Sequence, residues 1–65
     1  MKRKTIGEKL VELRGERTQS DVAKACNISA AAVGMYERNE RVPRDEIKIA
    51  LARFFNVTVE SLFYA

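Results

Sequence analysis

Apolar residues recur along this chain at helical spacing almost from end to end. Ile6, Leu10 and Leu13 stand at i, i+4 and i+7, one stripe on a first helix, with Lys9, Glu12 and Arg14 off it or at its edge. Gly15 stands where a glycine often closes a last turn. Thr18 reads as the N-cap of a short second helix, in a Thr-x-x-Asp capping box with Asp21. Val22, Ala23 and Cys26 face inward on it, and it stops at Asn27, which tolerates the left-handed backbone of a sharp turn. Ser29 caps a third helix reaching about Arg38, with Ile28 buried in the turn before it and Val33 and Tyr36 on its inner side. Asn39 is the left-handed terminator, and residues 40–43 form a polar loop. Asp45 and Glu46 place negative charge in the first turn of a fourth helix, where it matches the helix dipole. Its inner face carries Ile47, Leu51 and Phe55, with Ala52 and Phe54 flanking. Asn56 ends it, and Thr58 caps a last short helix that contributes Val59, Leu62 and Phe63. The pattern predicts one all-α domain of five helices over residues 1–65, with residues 1–5 a basic arm.

Composition narrows the chemistry. A chain of 65 residues holds one modest core and no separate catalytic domain. It contains no histidine and one cysteine. No metal-ligand cluster, glycine-rich phosphate cradle or nucleophile with a base beside it is legible, so neither an enzyme nor a bound metal or cofactor is expected. Cys26 falls on the apolar side of the second helix and reads as a buried structural thiol. No apolar h-region follows the basic start and no apolar run approaches the roughly 18 residues of a membrane span, so a cytoplasmic setting is expected. Twelve Lys and Arg against nine Asp and Glu leave a formal charge of +3. Polyanion binding depends on clustered cations, and Arg38, Arg41 and Arg44 are clustered just after the third helix.

The most informative feature is the pair of short helices joined by a tight turn, its geometry pinned by Ala23, Ile28 and Val33. Such a pair presents the outer face of its second helix, the one that enters a DNA major groove. The sequence resembles the phage repressor and Cro-like (XRE-type) helix-turn-helix family at Arg14, Thr18-Gln19, Ala23, Ile28-Ser29, Val33, Tyr36-Glu37-Arg38, Pro43, Phe55-Asn56-Val57 and Leu62-Phe63. The resemblance covers nearly the whole chain. The resemblance implies a compact lambda-repressor-like domain with its helix-turn-helix at helices two and three, and a sequence-specific double-stranded DNA-binding transcriptional regulator, a repressor, that inserts helix three in the major groove and acts as a homodimer. Gln19 and Ser20, at the start of the second helix, are then phosphate contacts, as are Arg38, Asn39, Arg41 and Arg44. Ser29, Ala30, Ala31, Gly34 and Met35 take the base-facing positions, and Arg14 pairs with Glu37 to orient the third helix. Alanines, a glycine and a methionine give few hydrogen bonds to base edges, so direct readout is expected to be thin. The same apolar face also fits an antitoxin or adaptor that meets a partner protein. Phe63 and Tyr64 either cap the core or form a dimer seam.

Overall fold

The computed structural model describes residues 3–65; Met1 and Lys2 of the expected arm lie outside them. Helix α1 spans Ile6–Arg14, α2 Gln19–Cys26, α3 Ala30–Glu37 and α4 Asp45–Phe54, and the chain finishes in a π-helical turn, α5, over Glu60–Tyr64. Local side chains set most of these boundaries. Thr18 accepts from the Asp21 amide at 3.0 Å while the Asp21 carboxylate accepts from the Thr18 amide at 3.0 Å. Thr5 and Glu8 form a second capping box at the start of α1. Ser29 caps α3 as expected, accepting from the Ala32 amide at 3.0 Å, so α3 starts at Ala30, and Arg38 follows its end. Thr58 accepts from the Ser61 amide at 3.0 Å and so caps the final turn.

Three helices end alike. Asn27, Asn39 and Asn56 have φ of 57°, 59° and 56°. After each, the next amide reaches back to the carbonyl five residues earlier: Ile28 to Ala23 at 3.0 Å, Glu40 to Met35 at 2.9 Å and Val57 to Ala52 at 2.9 Å. Asparagine occupies the left-handed position of a Schellman turn in all three, a place it tolerates better than most residues.

Leu10, Val22, Ala23, Cys26, Val33, Tyr36, Leu51, Ala52, Leu62 and Phe63 are buried and make up the core, with Ile6, Leu13, Ile28, Ile47 and Phe55 packed at its rim. Each large aliphatic such as Leu51 contributes about 1.5–3 kcal/mol by leaving water. Of the two readings left open for the C-terminal aromatics, Phe63 takes the core one; Tyr64 beside it is 65% exposed. Lys9 clamps α5 to α1 by donating to the carbonyls of Ser61 at 3.1 Å and Ala65 at 3.2 Å. Among the described residues no helix is long and apolar enough to cross a membrane.

One close approach fixes how α1 meets the end of α3. A Cβ on Gly7 would lie 2.1 Å from the Glu37 carbonyl oxygen, so only glycine fits there. The Gly7 amide donates to Asn39 Oδ1 at 2.9 Å, and Asn39 Nδ2 donates to the Thr5 hydroxyl at 3.1 Å.

Candidate nucleic-acid interface

Three residues, Asn27 to Ser29, separate α2 from α3. The left-handed Asn27 makes the turn sharp, and Ile28 packs beneath it against the core. Buried Ala23 gives α2 the small side chain it needs to cross α3 closely.

Glu37 is the hub that orients the pair. Arg14 donates to it through Nε at 2.7 Å and Nη2 at 3.3 Å, and its third donor, Nη1, reaches the Arg17 carbonyl at 2.8 Å. The expected Arg14–Glu37 ion pair is thus present, with the Glu37 side chain only 6% exposed. The Glu37 hydrogen bond holds the Arg14 guanidinium above its ordinary pKa. Gln19 Nε2 donates to the same carboxylate at 2.9 Å. Glu37 therefore ties α1, α2 and α3 together and fixes the Gln19 side chain at the start of α2.

Gly34 departs from its expected base-facing role. It is buried, because side chains lie over it: a Cβ there would stand 3.0 Å from Arg38 Nη1 and 3.6 Å from both terminal atoms of Gln19. A helical side chain leans toward the N-terminus, so Arg38 folds back over the position four residues before it. Gln19 and Arg38, from opposite ends of the motif, meet above Gly34. The amides of Gln19 and Ser20 precede the capped Asp21 amide and have no protein partner among the described residues. They add donors, and the α2 dipole, at the same place.

A second grouping lies at the other end of α3. Ser29, Arg41 and Arg44 line one cleft of about 340 Å³, floored by Ile28, Tyr36 and Ile47. Arg41 and Arg44 are exposed and make no ion pair among the described residues. Of the remaining positions, Ser29 and Ala31 are exposed, whereas Ala30 and Met35 are half-buried, Ala30 against the core.

Asn39 also departs from expectation. Its side-chain oxygen accepts from the Gly7 amide and its nitrogen donates to the N-cap Thr5, so the side chain fastens the end of α3 to the start of α1. Sequence reasoning missed two further residues. Gly7 carries no mark of its contact, since the backbone it touches lies thirty positions away. Arg17 lies over Phe54 at 4.9 Å and Phe55 at 5.7 Å, cation–π contacts that hold the loop leading into α2.

The helix-turn-helix family matches residues 9–62, most of the chain. The chain belongs to the helix-turn-helix family. Its fold is similar to the crystal structure of the P22 c2 repressor protein in complex with a synthetic operator, with a TM-score of 0.91, 23% identity, and coverage of 95% of this chain and 97% of that one. No curated protein matches the sequence. Between the two groupings of polar and cationic groups, α3 presents exposed Ala31 and half-buried Met35.

Proposed function

We propose that the chain is a sequence-specific, double-stranded DNA-binding repressor that lays α3 in the major groove and acts as a homodimer. The observation that carries this reading is the convergence of Gln19 and Arg38 over Gly34 at one end of α3, with Ser29, Arg41 and Arg44 gathered at the other. Two anchors at opposite ends of one short helix suit a duplex backbone running past both. Between them Ala31 and Met35 offer apolar contact to thymine methyl groups, with little hydrogen bonding to base edges. Phosphate contacts and DNA shape then carry much of the recognition. The fold likeness to a repressor solved on its operator supports the same docking.

Selection of bound duplexes from a random library tests the reading. An enriched motif with two-fold symmetry is the expected outcome, since a dimer reads two half-sites. Recovery of unenriched sequence contradicts it. One feature favours a second reading, a protein-binding module on the same fold: Val42, beside the cleft, is 65% exposed. That module would leave the library unenriched.

A further inference from the structure

In the free protein the forked donors of Arg38 are already occupied. Nε donates to Glu40 Oε2 at 2.9 Å and Nη2 to Glu40 Oε1 at 3.2 Å. This two-point geometry is the one a guanidinium also offers to phosphate. Glu40 is presented by a fixed backbone, since its amide bonds the Met35 carbonyl at 2.9 Å across the left-handed Asn39. The neighbouring carboxylate cannot take its place, because Glu37 is engaged by Arg14 and Gln19. Arg41 and Arg44 carry no such partner among the described residues. Among the described residues, Arg38 is the one arginine around α3 that faces a carboxylate itself open to solvent.

We propose that Glu40 is a built-in competitor of the DNA backbone: its carboxylate holds the paired donors of Arg38, and a phosphate must displace it when duplex binds. The proposal rests on the reading that α3 and Arg38 meet DNA. The two side chains are 58% and 53% exposed, so water screens the pair and the competition tunes affinity rather than blocking it. Freeing Arg38 is worth about a two- to fivefold gain in affinity.

The test is a double-mutant cycle read by fluorescence anisotropy on a labelled mixed-sequence duplex at one fixed ionic strength. It compares the parent, Glu40→Gln, Arg38→Ala and the double variant, with thermal melting of each. Glu40→Gln should bind about two- to fivefold more tightly than the parent, and the gain should vanish in the Arg38→Ala background. Unchanged or weaker binding by Glu40→Gln overturns the proposal, the latter by showing that Glu40 braces Arg38 for its contact. An equal gain in both backgrounds also overturns it, because loss of a negative charge then acts without Arg38. If Arg38→Ala binds as well as the parent, the competitor fails while DNA binding by α3 stands. If the parent binds no duplex, the DNA reading itself fails.

Discussion

At the scale of single residues, the short-range chemistry was the legible part. Thr18, Asp21, Ser29 and Asn27 act on backbone within a few positions, and each does what its type and spacing imply. Gly7 acts across the fold, and a glycine early in a helix carries no sign of that. Gly7→Ala should destabilise the protein by about 1–3 kcal/mol or more, because the new Cβ meets backbone rather than a movable side chain. Thermal or denaturant unfolding measures this, and an unchanged midpoint would show that α1 can shift away from α3 without loss. Gly34 shows the same limit from the other side. Its place on the outward arc of α3 was readable, but not that Gln19 and Arg38 would fold over it, since that depends on the crossing of α2 and α3.

At the scale of helices, capping and polarity explain where each element starts. The carboxylates of Glu8 and Asp21 are held below their ordinary pKa by hydrogen bonds with Thr5 and Thr18, and Glu40 is held down by Arg38. A carboxylate with a lowered folded pKa stabilises the protein above its unfolded value, about 3.9 for Asp and 4.3 for Glu, and that contribution is lost as pH falls through the folded value. The melting temperature should therefore drop as pH falls below about 4.5. Asp21→Asn, which leaves position 21 without a titrating group, should drop less over the same window. Equal drops in the two proteins would mean that the α2 box has no part in acid unfolding. The helix inventory itself was readable because the apolar stripes were regular. The π-helical form of α5 was not, because Thr58 capping and inward Leu62 and Phe63 are satisfied equally by an α-helical turn.

At the scale of the whole molecule, the body measures 33 × 21 × 18 Å, and the proposed reading gives each copy one half-site of a symmetric duplex. Phe63 is in the core, which leaves Tyr64 as the exposed aromatic of α5, its hydroxyl accepting from Lys48 Nζ at 2.8 Å. Sedimentation with a palindromic duplex should show two protein copies per DNA; one copy per palindrome at saturating protein would reject the dimer. The helix-turn-helix family was legible from the residue spacing, but the arrangement of the polar and cationic groups around α3 was not. Separating Arg38 from Arg41 and Arg44 into two groups required the turn at Asn39, and turning the Asn39 side chain away required its contacts with Thr5 and Gly7. The salt dependence of duplex binding tests the central claim most directly, that α3 and its flanking cations lie against a polyanionic double helix. With about four to six phosphates neutralised, log K should fall against log salt with a slope of roughly −3.5 to −5.5. A flat response, or no binding at low salt, would contradict it.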